Sequence, residues 1–131
     1  MPSARILIVD DEDSVRNLAE RILTRAGYTV LTAADGPDAL LAAELDGPID
    51  VLTTDLLMPQ MYGDELARQL RARYPRLLVL YITGHRHWLF TKRPLLPERE
   101  GLLDKPFKTE ELLGAVSLLI HARGWPRPQY R

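Results

Sequence analysis

The chain has 131 residues, 46% hydrophobic and 27% charged, with a formal net charge of −1; this length is expected to hold one domain with a single core and no fused output module, and the apolar content excludes a disordered chain. No apolar run reaches the roughly 18 residues that span a bilayer, and Met1-Pro2-Ser3-Ala4-Arg5 runs into a β-like segment with no secretory leader, so a cytoplasmic location is expected. The lack of cysteine excludes disulfides, a thiol nucleophile and thiolate metal sites.

Arg5-Ile-Leu-Ile-Val9 is a continuous apolar run, the pattern of a strand buried on both faces of a parallel sheet, and it ends at Asp10. Val15, Leu18, Ala19, Ile22, Leu23 and Ala26 then recur at helical spacing, with Gly27 where a terminating glycine belongs. Residues 28–33 read as a second strand. After the turn Asp35-Gly36-Pro37, a short helix carries Ala39, Leu40, Ala42 and Ala43 until Gly47-Pro48 stops it. Residues 49–54 form a third predicted strand, which delivers Asp55. Gly63-Asp64 opens a helix with Leu66, Ala67 and Leu70 inward, closed by Tyr74-Pro75. Residues 77–82 are a fourth strand that hands over to Thr83.

The stretch from His85 to Gly101 breaks this rhythm. Pro94 and Pro97 each remove a backbone donor, so a fourth helix is expected to be short, displaced or absent. Leu102-Leu-Asp104 is a minimal fifth strand, followed by Lys105-Pro106-Phe107. From Thr109 as N-cap, Glu110 and Glu111 occupy the first turn, and Leu112, Leu113, Val116, Leu119 and Ile120 supply an apolar stripe. Residues 123–131 read as a proline-broken tail that frays from a domain spanning 1–122. Strands alternating with short helices imply right-handed βαβ crossovers and a parallel sheet.

In such a sheet Asp10, Asp11, Asp55, Thr83 and Lys105 meet at the carboxyl edge, where open α/β sheets bind ligands. Each alone has an ordinary reading: an acid after a strand caps a helix, a threonine serves a turn, a lysine is a solvated charge. Together, three carboxylates crowd negative charge that a cation makes tolerable, and oxygen-only ligands point to Mg²⁺. An ion there would neutralise Asp55 for attack on phosphorus, while Thr83 and Lys105 hold the remaining phosphoryl oxygens. The product would be an aspartyl phosphate.

The motifs Ile6-Leu-Ile-Val-Asp-Asp-Glu12, Thr54-Asp-Leu-Leu-Met-Pro59 with Gly63, Ile82-Thr-Gly84 and Lys105-Pro-Phe107 resemble the receiver domains of two-component response regulators, the family of the chemotaxis response regulator. The resemblance covers residues 4–122 and implies a flavodoxin-like, doubly wound five-stranded parallel sheet in the order 2-1-3-4-5. It makes Asp55 the phosphoacceptor and has Asp10 and Asp11 organise Mg²⁺, with Asp11, Asp55 and the backbone carbonyl of Leu57 as direct ligands. Thr83 would be drawn toward the phosphoryl group, Lys105 would pair with it, and the Lys105–Pro106 bond would be cis. Leu57 and His85 stand where the lifetime of the acyl phosphate is tuned; an apolar Leu57 implies modest self-dephosphorylation. The implied donor is a histidine kinase or histidine phosphotransfer protein. A downstream effector and a homodimer are further partners that the resemblance admits, and no membrane or direct nucleic-acid partner is expected.

Two positions depart from the family pattern. Leu102, three residues before Lys105, replaces an aromatic residue, and the segment 86–99 replaces a regular fourth helix, so an altered output surface is expected. Trp88, Leu89 and Phe90 read as a bulky cluster over the sheet edge or a partner anchor, and His85 and His87 as a polar loop. Residues 1–65 carry four basic and thirteen acidic side chains, about −9, and residues 66–131 thirteen and five, about +8; such a dipole steers partners by sign. The chain is therefore expected to be a switch, either a stand-alone regulator or a receiver cut from a hybrid kinase, and not a turnover enzyme. Two competing readings are a receiver-fold interaction module that works without phosphorylation and a hydrolase using Asp55, for which no general base or recognition insertion is evident.

Overall fold

The computed structural model describes residues 3–92 and 96–122. The described chain alternates β1 (Arg5–Val9), α1 (Asp13–Arg25), β2 (Thr29–Ala33), α2 (Gly36–Asp46), β3 (Val51–Thr54), α3 (Gly63–Arg73), β4 (Leu78–Thr83), α4 (Arg86–Lys92), β5 (Glu100–Asp104) and α5 (Thr109–Ala122). All strand pairs are parallel, in the expected order β2-β1-β3-β4-β5.

Successive side chains leave a strand on opposite faces, and here both faces are buried. Leu7, Val9, Leu52, Val79 and Tyr81 enter one core layer with Ala39, Leu66, Leu70 and Leu89 from α2, α3 and α4. Ile6, Ile8, Val51, Leu80 and Ile82 enter the other with Leu23, Leu112, Val116 and Leu119 from α1 and α5. Burying each such leucine or isoleucine is worth roughly 1.5–3 kcal/mol. A one-residue slip of any inner strand would exchange its two faces, so this packing fixes the register that places the strand ends.

Helix ends account for most differences from the sequence expectation. α1 closes in a Schellman motif: Gly27 N–H donates to the Thr24 carbonyl at 3.0 Å and Tyr28 N–H to the Leu23 carbonyl at 3.2 Å, with Gly27 at φ +99° in the region that favours glycine. Leu18, expected inward, is 39% exposed. Gly36 and Pro37, expected in a turn, already belong to α2, because the Asp35 side chain caps the helix by accepting the Asp38 N–H at 2.9 Å. Thr109 is the first helical residue of α5 and not its cap; the Glu111 carboxylate instead accepts the Lys108 N–H at 2.7 Å, half of a capping box.

β5 begins at Glu100, two residues earlier than read from sequence. Glu100 is 4% exposed, and the Arg71 guanidinium reaches its Oε2 at 2.6 Å, so a carboxylate can be buried at the start of an otherwise half-buried strand because an arginine on α3 meets it. α4 is short as expected, and the chain is no longer helical at Leu96 and Pro97. Pro94 and the tail 123–131 lie outside the described residues. Leu89 is fully buried against the sheet, whereas Trp88 and Phe90 are half buried.

Candidate functional site at the carboxyl edge of the sheet

Val9 and Thr54 are register partners on neighbouring strands, so the next residues, Asp10 and Asp55, leave the sheet side by side. Each continues the ladder by one hydrogen bond, Asp10 N–H to the Ala33 carbonyl at 3.3 Å and Asp55 N–H to the Val9 carbonyl at 3.1 Å. Asp10 is 3% and Asp55 7% exposed, while Asp11 faces solvent. Carboxylate oxygens of all three lie within 4.8 Å of one another, so the adjacent acids predicted from the sequence do converge.

Lys105 arrives from the end of β5. Its backbone N–H donates to the Thr83 carbonyl at 3.0 Å and the Lys105–Pro106 peptide is cis, as the resemblance implied. Its Nζ lies 2.8 Å from Asp55 Oδ2, 2.9 Å from Asp10 Oδ2 and 2.9 Å from Glu12 Oε1. Burial disfavours the ammonium, but the hydrogen bonds it donates to Asp55, Glu12 and Asp10 outweigh it and raise the lysine above its ordinary value. Burial raises Asp10 against the opposing help of the Glu12 N–H and Lys105, and the neighbouring Asp55 charge adds to the rise. The site thus holds more negative charge than its lysine balances. An all-oxygen donor set with one exposed acid suits a hard divalent cation.

The remaining polar groups are fixed by backbone contacts. Asp55 Oδ1 accepts the Leu56 N–H at 2.7 Å, which leaves Oδ2 toward Lys105. Thr83 is fully buried, and its Oγ1 accepts the His85 N–H at 2.9 Å. Leu57 is half buried against the α2/α3/α4 core layer. Gly63 N–H donates to the Leu56 carbonyl at 2.8 Å, and a Cβ on Gly63 would stand 2.0 Å from the Asp55 carbonyl oxygen, so only glycine allows α3 to start against the residues that follow β3. His85 and His87 are exposed, and Asp10, Asp11 and Asp55 are the metal-competent group among the described residues.

Two contributors were not assigned roles from the sequence. Glu12 supplies a third carboxylate to Lys105, and Arg16 donates from Nη1 to the Asp10 carbonyl at 2.7 Å, pinning the turn after β1. An acid directly after the Asp10/Asp11 pair is visible in the sequence, but its pairing across 93 residues is a product of the fold.

A family model described as "Response regulator receiver domain" matches residues 6–117. The chain belongs to the response regulator receiver domain family. The receiver is 36% identical over 119 residues to the sensor kinase CckA of Brucella abortus, covering 90% of this chain and 13% of that protein. It is 39% identical over 118 residues to the response regulator MprA of Mycobacterium ulcerans, covering 90% of this chain and 50% of that protein. It thus spans half or less of these relatives. The solved chemotaxis response regulator CheY4 of Vibrio cholerae superposes with a TM-score of 0.77 at 34% identity, over 89% of this chain and 98% of that one.

Against this family frame, the receiver carries Leu102 in register with the fully buried Tyr81 of β4. No helix among the described residues is long and apolar enough to cross a membrane.

Proposed function

We propose that this receiver accepts a phosphoryl group on Asp55 from a histidine kinase or histidine phosphotransfer protein and thereby switches its contacts with a downstream effector. The observation that carries this reading is the placement of Lys105 Nζ 2.8 Å from Asp55 Oδ2 inside a cluster of three carboxylates. An Asp55 oxygen attacks phosphorus, the phosphorus–nitrogen bond of the donor imidazole breaks, and the electron pair leaves with the nitrogen. The Lys105 ammonium moves from the carboxylate to a phosphoryl oxygen, and the Thr83 hydroxyl donates to another. Asp10, Asp11, Asp55 and the Leu57 carbonyl are the groups that would hold Mg²⁺, which when bound neutralises the acceptor and the incoming oxygens. Slow attack of water on the phosphorus later returns Asp55 and inorganic phosphate, so the phosphorylated form persists as a signalling state and the chain acts as a switch and not as a turnover enzyme. Its setting is cytoplasmic.

Intact mass after incubation with a small-molecule phosphodonor and Mg²⁺ tests this. One phosphoryl adduct is expected, absent in Asp55→Asn and in the presence of a chelator. A folded protein that takes no adduct, and whose stability does not respond to beryllofluoride, would instead support the phosphorylation-independent interaction module, the reading that Leu102 and the short α4 favour.

A further inference from the structure

Leu102 removes the aromatic side chain expected near Thr83 on β5, yet an aromatic contact joins the site to α4 from the other side. The Tyr62 and Trp88 rings meet at 4.9 Å between centroids and 58° between planes. Lys92 Nζ lies 4.6 Å from the Trp88 ring centroid and 3.8 Å from Asp64 Oδ2. Both aromatic residues are hung from the candidate site by short chains of hydrogen bonds.

Tyr62 directly precedes Gly63, whose N–H donates to the Leu56 carbonyl; the Leu56 N–H in turn donates to Asp55 Oδ1. A shift of the Asp55 carboxylate therefore acts on the peptide that positions Tyr62. On the second branch, Trp88 N–H donates to the His85 carbonyl at 3.0 Å, and the His85 N–H donates to Thr83 Oγ1. A hydroxyl drawn toward a phosphoryl oxygen moves the acceptor of that bond, at the very start of α4. The two branches converge on one ring contact, whose geometry reports any relative motion of the β3–α3 loop and α4.

We infer that the Tyr62–Trp88 contact is the element through which the state of the Asp55 and Thr83 pair is passed to α4, in place of an aromatic residue at position 102. The inference rests on the reading of Asp55 as phosphoacceptor. Tyr62 is 50% exposed and is linked to Asp55 through the backbone hydrogen bonds of Gly63 and Leu56, so it transmits the state of the site without contributing to phosphoryl transfer.

The test uses tryptophan emission from Trp88 in the full chain carrying Trp125→Phe, which removes the second of its two tryptophans. Emission is followed while Mg²⁺ and beryllofluoride are added, and intact mass after phosphodonor treatment is measured on the same variants. Trp88 emission is expected to change on saturation. Tyr62→Ala is expected to lose more than half of that change while taking up one phosphoryl group as the parent does, and Tyr62→Phe, which keeps the ring, to retain it. An emission response of parental size in folded Tyr62→Ala, or no response in a parent that does accept phosphoryl, overturns the inference and leaves the acceptor role of Asp55 standing. A parent that takes no phosphoryl group overturns both.

Discussion

Asp10 is buried beside Asp55, with the Lys105 ammonium in contact with both. Asp10→Asn removes one buried charge, and its side-chain oxygen can still accept the Glu12 N–H that Asp10 Oδ1 now accepts at 2.9 Å. The metal-free variant is expected to be more stable at neutral pH by about 1 kcal/mol, roughly 4 °C in midpoint for a domain of this size. Because the native state raises the Asp10 carboxyl above 3.8, its contribution to wild-type stability is present below the unfolded value and lost as pH rises through the folded one. The advantage of the variant is therefore full at neutral pH and shrinks on acidification. Thermal melts across that range check it, and a variant less stable than wild type at neutral pH would contradict it. Gly63→Ala tests the opposite extreme, a steric one. A Cβ 2.0 Å from the Asp55 carbonyl oxygen forces backbone to move, and a loss of about 3 kcal/mol in urea unfolding is expected. At Leu57 the side chain offers no hydrogen bond to an attacking water, so Leu57→Asn is expected to shorten the phosphoryl lifetime several-fold, measured as decay of the intact-mass adduct.

At the level of elements, the short α4 is held by the buried Leu89 and the Trp88–Tyr62 contact, while α3 and β5 are joined by Arg71. Its guanidinium donates to Glu100 Oε2 and to the carbonyls of Leu77 and Arg99. Arg71→Ala removes these hydrogen bonds together with a cation beside a buried carboxylate and is expected to cost about 3 kcal/mol, whereas Glu100→Gln, which keeps a neutral acceptor for Arg71, costs less; chemical denaturation of the two variants gives the order. This pair also shows where sequence reading stops. The apolar run of residues 5–9 and the stripe Leu112, Val116, Leu119 announced β1 and α5 because periodicity is local. Glu100 looked like a loop residue because its partner lies 29 positions away, and no local pattern reveals such a pair. The start of α5 differs for a local reason: Glu111 reaches back three residues to the Lys108 N–H and competes with a threonine that is a good cap in isolation.

Across the molecule, the fold and the converging acids were legible because Asp10, Asp55 and Lys105 sit one position past strands whose ends a parallel sheet must align, and Thr83, read from sequence as following the fourth strand, is its last residue. What the sequence could not supply was the set of contacts around them: the Lys105 hydrogen bond to Glu12, the Arg16 bond to Asp10 and the ring contact of Tyr62. A cation that binds the folded carboxylates and not the unfolded chain stabilises the whole domain by mass action, about 2.7 kcal/mol at a hundredfold excess over its dissociation constant. The melting midpoint is accordingly expected to rise with Mg²⁺, and Asp55→Asn to lose most of that rise; a midpoint indifferent to Mg²⁺ in the wild type would count against the site.

The three contacts of Lys105 carry a further consequence. A pocket that already contains its own counter-ion behaves as an ion exchanger: an arriving divalent cation or phosphoryl group trades places with an ammonium that stays tethered nearby. Withdrawal of either therefore returns the carboxylates to a partner and not to bare repulsion, so the resting site is itself a paired arrangement to which the domain can reset.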